Sequence, residues 1–341
     1  MTVTFPVLDL RDATGTPESK ATFLNQLRVA IHEIGFFQLI GHGIDDFDKM
    51  LELSRQFFAL PEQDKLALNI LDSPLFRGYS EIGREHTKGI PDHRQQLDIG
   101  PEQPERRPAP GDPVYQRMIG PNRWPEAMPE LRPAIESWIT RLTGLSHRML
   151  RLICESLDAP ADFLDDVVDP DPQIHLKLLH YPGPPLTGQD NGSDQGTGIH
   201  NDLGLLTLLV RDNNSGLQVA VKDGQFVEVP VLPEAFVVNL GELLEVATNG
   251  YVRATLHRVV RPAPGVDRYS IPFFYNPRLN ATMQPLPSPY VEAADGVSDV
   301  AGNPLFALYG ENVMKGMIRS FPEIIARHHP DLAPVAGSTS A

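Results

Sequence analysis

At Pro170 the chain changes character. Upstream, apolar residues recur at helical spacing. Downstream they gather into short runs rich in β-branched and aromatic residues, separated by Gly, Pro, Asp and Asn. In the first half, Phe23, Leu27, Ala30, Ile31 and Ile34 predict one helix, with Gly35 as its stop. Phe47, Met50, Leu51 and Phe57 predict a second, and Leu60-Pro61-Glu62 starts a short third. The longest candidate runs from Pro129 to Leu157 on Leu131, Ile135, Trp138, Leu142, Leu145, Met149, Leu152 and Ile153, a spacing suited to a core-facing helix. In the second half the expected strands are Ile174–Tyr181, Leu205–Val210, Leu217–Val221, Gln225–Val229, Ala235–Leu240, His257–Arg261 and Tyr269–Tyr275, with Asp223-Gly224 as a hairpin signal.

These elements predict an α+β chain. Residues 1–160 are expected as a helical region packed on the core, 170–280 as the strand core, 281–332 as a C-terminal loop and helix, and 333–341 as a disordered tail. Many short strands at this spacing suit a sandwich or jelly roll. No Gly-rich loop follows a strand, which argues against a nucleotide-phosphate fold. Arg77–Arg107 is polar and long enough to be a functional loop, and Thr187–Thr197 is expected as a mobile one.

The net charge of -15 argues against a nucleic-acid partner. Neither an 18-residue apolar run nor a basic leader is visible, so no membrane partner is expected. One cysteine, Cys154, precludes a disulfide within the chain and favours a cytoplasmic, reducing setting; its place is a buried helix face.

The chemistry concentrates in a few histidines. Mononuclear non-haem iron sites take two imidazoles and one carboxylate on one face of the metal. His200 and Asp202, two apart on an extended segment, point to the same side and can chelate one ion; His257 on a later strand supplies the third ligand. His-x-Asp alone is a weak pattern, since His329-Pro330-Asp331 repeats it, there read as surface. His175 and His180 are expected as packing or hydrogen-bonding residues and His42 as part of a Gly-His-Gly turn. His32, His86, His93, His147 and His328 show no partner at useful spacing. Arg268 and Ser270 share one face of the last strand, where a guanidinium and a hydroxyl can grip a carboxylate.

With these residues in view, the chain resembles the isopenicillin N synthase-like group of iron(II)/2-oxoglutarate-dependent dioxygenases. The resemblance rests on Gly198-Ile-His-Asn-Asp-Leu-Gly-Leu-Leu-Thr, Asn249-Gly-Tyr-Val-Arg-Ala-Thr-Leu-His-Arg-Val and Arg268-Tyr-Ser. Phe5-Pro-Val-Leu-Asp-Leu, Gly35-Phe-Phe-Gln-Leu-Ile-Gly-His-Gly-Ile, Phe57-Phe-Ala-Leu-Pro and Tyr309-Gly-Glu-Asn extend it over most of the chain. It implies a double-stranded β-helix (jelly-roll) core with Fe(II) inside, held by His200, Asp202 and His257. It also implies 2-oxoglutarate as co-substrate on Arg268, Ser270 and Tyr181, with dioxygen as oxidant. Two positions depart from the family pattern: Leu203 follows the Asp ligand where an aromatic is common, and Leu179 stands where plant members carry Asn.

The implied reaction hydroxylates, desaturates or cyclises a small organic molecule with release of succinate and carbon dioxide, with secondary metabolism as the setting. Phe274, Lys177 and Tyr79 are the expected substrate contacts, the last on an Arg77–Asp98 loop closing over the pocket. The competing expectations are an iron oxidase of the isopenicillin N synthase or aminocyclopropane-carboxylate oxidase type that needs no 2-oxoglutarate, and a non-catalytic binding protein on the same scaffold. A zinc hydrolase would not need the Arg-Ser clamp.

Overall fold

The computed structural model describes residues 4–106, 108–187, 193–221, 224–294, 296–297 and 305–333. The strands are β1 (Val7–Asp9), β2 (Phe36–Ile40), β3 (Gly78–Ser80), β4 (His86–Thr87), β5 (Ile90–Pro91), β6 (Gln95–Ile99) and β7 (Gln173–Pro182), then β8 (Gln195–His200), β9 (Leu206–Arg211), β10 (Leu217–Ala220), β11 (Phe226–Glu228), β12 (Phe236–Leu240), β13 (His257–Val260) and β14 (Asp267–Asn276). The helices are α1 (Pro17–Glu33), α2 (Phe47–Phe58), α3 (Glu62–Leu66), α4 (Leu131–Ser156), α5 (Asp165–Val168), α6 (Glu242–Ala247), α7 (Pro289–Glu292), α8 (Tyr309–Ser320) and α9 (Pro322–His328).

Two sheets carry the fold. The larger has eight strands in the order β1-β2-β12-β9-β14-β7-β6-β3; the smaller has four, β11-β10-β13-β8. Alternation along the large sheet sorts side chains onto two buried faces. Its outer face presents Phe37, Leu39, Leu176, Leu178, Leu206, Leu208, Val238 and Phe273 to a core shared with α1, α2 and α4. Its inner face carries Leu179, Tyr181 and Val237, which pack with Leu217, Val219 and Val259 of the small sheet. The same inner face carries Gln38, Lys177, Thr207, Asn239, Arg268 and Ser270. A polar site is thereby placed between two sheets by residues whose strand neighbours anchor the outer core.

The four helices expected in the first half form, with α4 close to its expected bounds. Gly35 ends α1 at φ +72°, where a Cβ would sit 2.3 Å from the Arg253 carbonyl oxygen. Residues 1–160 are not only helical, however. They supply β1, β2, β3 and β6 to the large sheet. These strands escape a periodicity reading because β2 and β6 are buried almost throughout, and a strand buried on both sides shows no apolar–polar alternation. The expected Arg77–Asp98 loop is likewise a β3 strand, a β4–β5 hairpin and most of β6, paired along Gly78↔Asp98 to Ser80↔Gln96. Thr187–Thr197 is also corrected in part: Gln195–Thr197 begin β8, and 188–192 lie outside the described residues. Strands β10 and β11 pair antiparallel as a hairpin requires, although Asp223 is outside the described residues, as is the expected tail after Ala333.

Candidate active site

Strand pairing assembles the site. In the β8–β13 ladder, His257 lies directly across from His200, with their ring centroids 4.2 Å apart. Asp202 follows two residues later, and its Oδ1 lies 3.7 Å from Nε2 of both histidines. The three ligand atoms all lie within 4.8 Å of one another, a spacing one ion can bridge.

What surrounds each ligand fixes its chemistry. The Nδ1–H of His200 donates to the Gly198 carbonyl at 2.8 Å, and that of His257 donates to the Thr255 carbonyl at 3.0 Å. A carbonyl oxygen can only accept, so each ring carries a proton on Nδ1 and turns its Nε2 toward Asp202. Asp202 Oδ2 accepts from Thr207 Oγ1 at 2.6 Å and Asn239 Nδ2 at 2.7 Å, both from the inner face of the large sheet. That leaves Oδ1 for a metal. Burial, and then the neighbouring His257, push His200 down to about 4, keeping its imidazole neutral. Burial raises the Asp202 carboxyl, but His257, His200 and the two hydrogen bonds outweigh it and hold the group below the ordinary carboxylate range. The donor set, its geometry and its protonation all fit a divalent transition metal.

Deeper between the sheets lies Arg268, 0% exposed. Its Nη1 lies 3.4 Å from Ser270 Oγ, and its guanidinium sits 5.0 Å above the Tyr181 ring. Its Nε and Nη2 are buried with no hydrogen-bond partner. A buried guanidinium with two unused donors is costly unless something accepts from them. A carboxylate does so in the two-pronged geometry that arginine favours. Tyr181, 1% exposed, reaches Thr197 Oγ1 at 3.2 Å.

The cleft above this pair is lined by Glu85, Arg94, His175, Lys177, Leu203 and Phe274, among others. Lys177 is paired with Asp98 at 2.9 Å and Glu85 at 3.4 Å. Burial disfavours its charge, yet Asp98 and Glu85 raise its pKa overall. Glu85 and Arg94 line the same wall without having been singled out in the sequence. They are joined at 2.6 Å, although nine residues and a hairpin separate them, and no local pattern reveals such a pair.

Several expected positions fall elsewhere. Tyr79 does not line the cleft: its ring is 2% exposed beside Phe57 and its hydroxyl donates to Gln95 Oε1 at 2.6 Å, so it is a core residue. The β3 strand turns it toward the helices. His329 is not on the surface; it is 6% exposed, stacks on Phe76 and reaches the Pro74 carbonyl at 2.8 Å, while Asp331 pairs with Arg117. His147, expected without a partner, meets Asp165 at 3.0 Å. His32 and His328 bind backbone carbonyls of Tyr251 and Leu71. His175 and His180 do hydrogen-bond, to Asp98 and Gln95.

A jelly roll that brings His200, Asp202 and His257 within reach of one ion defines a mononuclear metal enzyme of the facial-triad class. The model of the non-haem dioxygenase in morphine synthesis N-terminal region matches residues 5–127, and that of the 2OG-Fe(II) oxygenase superfamily matches 174–277. The chain is 35% identical over 288 residues to the 2-oxoglutarate-dependent dioxygenase frbJ of Dothideomycetidae sp. (strain 11243), covering 83% of this chain and 77% of the relative. It is 36% identical over 269 residues to homoarginine-6-hydroxylase 2-ODD-C23.1 of Arabidopsis thaliana, covering 78% and 80%. Among solved structures it resembles a full-length Neurospora crassa protein in complex with alpha-KG and thymine, at TM-score 0.74 and 26% identity over 92% of this chain and 96% of that one. The chain belongs to the 2-oxoglutarate/iron(II)-dependent oxygenase family. It is a dioxygenase that uses Fe(II), 2-oxoglutarate and dioxygen to hydroxylate small molecules. The expectation of an oxidase independent of 2-oxoglutarate gives way to this assignment. No helix among the described residues is long and apolar enough to cross a membrane.

Proposed function

We propose that His200, Asp202 and His257 hold the iron, and that Arg268, Ser270 and Tyr181 hold the far carboxylate of 2-oxoglutarate. Held there, iron(II) would supply, with 2-oxoglutarate and dioxygen, the oxidising chemistry that hydroxylates the substrate with release of succinate and carbon dioxide. The protein's own part is orientation. Gly198 and Thr255 fix the imidazole tautomers, and Thr207 and Asn239 aim Asp202. The observation that carries the reading is the two unpartnered nitrogens, Nε and Nη2, of fully buried Arg268, on the sheet face that also holds Thr207 and Asn239.

The substrate enters over Phe274 and Lys177, which line the cleft together with His200 and Asp202. Leu203 adds an apolar side chain to the cleft wall, while Leu179 is buried beside Tyr181 in the inner-face cluster. The homoarginine hydroxylase and the thymine-bound Neurospora crassa protein are both proteins of small, polar ligands, and the charged side chains of this cleft suit such a molecule. A reducing compartment is supported by the single cysteine, Cys154, which is buried.

The test is succinate release with iron(II), ascorbate and varied 2-oxoglutarate, for the natural chain and Arg268→Met. Losing a two-pronged charged contact is expected to raise the KM for 2-oxoglutarate by about a hundredfold. An unchanged KM would remove Arg268 from the co-substrate site.

A further inference from the structure

The cleft wall opposite the small sheet is built from charge. Glu85 Oε2 accepts from Arg94 Nη2 at 2.6 Å, and Glu85 Oε1 accepts from Gln96 Nε2 at 2.7 Å and Lys177 Nζ at 3.4 Å. Asp98 accepts from His175 at 2.8 Å, from Gln96 at 2.6 Å and from Lys177 at 2.9 Å. Asp92, behind them, takes Thr87, Gln195, the Gly198 N–H and Arg94. Both oxygens of every carboxylate are engaged.

The cations are not fully engaged. An ammonium has three N–H groups and a guanidinium five. Lys177 uses two of its three. Arg94 uses Nη1 on Thr197 Oγ1 at 2.8 Å and Nη2 on Glu85 and Asp92, while its Nε is buried and without a partner. Both side chains are largely buried, at 11% and 14% exposure, and both line the cleft that holds His200 and Asp202. An unused buried N–H group is the costlier kind to leave without a partner, and here one, Arg94 Nε, sits on a cleft-lining cation. The wall therefore has hydrogen bonds to give and few to receive.

We propose that Arg94, with Lys177 beside it, forms a second anion subsite of the active site, which binds a carboxylate of the substrate itself. This rests on the reading of the iron and 2-oxoglutarate sites above. Glu85 and Asp98 are positioning residues: they hold the two cations in place and keep their heads together despite like charge. On this wall, a substrate amine or guanidine would instead have to displace Lys177 or Arg94 from carboxylates already bonded. Arg94 also touches Thr197, which bonds the Tyr181 hydroxyl, and interacts with Tyr181 itself, so the same guanidinium could meet 2-oxoglutarate instead. The experiment separates these sources.

The protein, loaded under nitrogen with iron(II) and 2-oxoglutarate, is melted in the presence of small aliphatic and aromatic monocarboxylic acids, each paired with its primary amide and primary amine. Acids are expected to raise the melting temperature where their amides and amines do not. Arg94→Gln is expected to weaken acid binding by about tenfold or more, as for a charged hydrogen bond lost, and Arg94→Lys to restore part of it. In parallel samples loaded with iron(II) alone, the visible band on adding 2-oxoglutarate reports the co-substrate site, and its midpoint is expected to move less in Arg94→Gln than the acid midpoint. If amines bind better than acids, or no acid binds better than its amide, the subsite is not for a carboxylate. If Arg94→Gln moves the 2-oxoglutarate midpoint and not the acid midpoint, the arginine serves the co-substrate and the proposal fails. Failure of the band to form in the natural chain would instead overturn the iron and co-substrate reading. Should Arg94→Gln not fold, the acid-against-amide comparison on the natural chain and the Arg94→Lys variant still decide the matter.

Discussion

Among the described residues, two clusters offer a metal three ligand atoms each: His200, Asp202 and His257 between the sheets, and His147, Asp165 and Asp169 beside α4 and α5. Their composition is nearly the same, and their surroundings are not. In the first, every ligand is tied on its far side, to Gly198, Thr255, Thr207 or Asn239, so the near atoms converge with nothing else to bond. In the second, Asp165 is already gripped by Arg151 as well as His147, and Asp169 is 57% exposed on its side chain. An arginine in that position does for the carboxylate what a metal would. Ligand types do not make a metal site; supporting contacts that leave the ligand atoms unused do.

The sharpest way to break this comparison is to remove one ligand from each cluster. His200→Ala is expected to lower bound iron and succinate formation by more than about a hundredfold, beyond the range for a lost supporting contact. Metal analysis and turnover of His147→Ala should match the natural chain. The next effect isolates the support itself. Asn239→Ala and Thr207→Val leave all three ligands in place, and each is expected to weaken iron binding by about 10- to 100-fold, read by competition with a metal-sensitive dye. Iron affinity equal to that of the natural chain in both variants would mean that aiming Asp202 is not what distinguishes the clusters.

A smaller effect is set by pH. The folded His200 titrates at about 4 against an ordinary 6.5, so between these values the unfolded chain binds a proton that the folded chain does not. Stability of the iron-free protein should therefore fall as pH drops from about 6.5 toward 4. Melting temperatures of iron-free His200→Gln should decline less over that window; an identical decline would place the proton elsewhere. The smallest effect belongs to the outer cluster. Asp169→Asn removes an exposed carboxylate 3.7 Å from His147 Nε2 and is expected to change stability by less than about 1 kcal/mol in denaturant unfolding.

The same contrast explains what could be read from the sequence. His200, Asp202 and Arg268 were legible because period-two spacing on a strand puts His200 beside Asp202 and Arg268 beside Ser270. The long α4 was legible because one face is buried and the other wet. Strands β2, β6 and β8 were not, since burial on both faces or a polar composition hides alternation. The Glu85–Arg94–Lys177–Asp98 wall joins a hairpin to two strands of different halves of the chain, and only the sheet brings them together. Tyr79 was misplaced because a stretch rich in Gly, Pro and charge reads as a loop, while its alternate residues in fact fill a sheet edge. His147 and Asp165 meet across the turn between α4 and α5, a contact with no signature in either segment.

The most direct test of the central claim is an anaerobic titration of the iron(II)-loaded protein with 2-oxoglutarate, following the visible charge-transfer band, in the natural chain and in His257→Ala. The triad assignment requires a band that saturates in the natural chain and is absent in the variant. A band of unchanged intensity and midpoint in His257→Ala would contradict it.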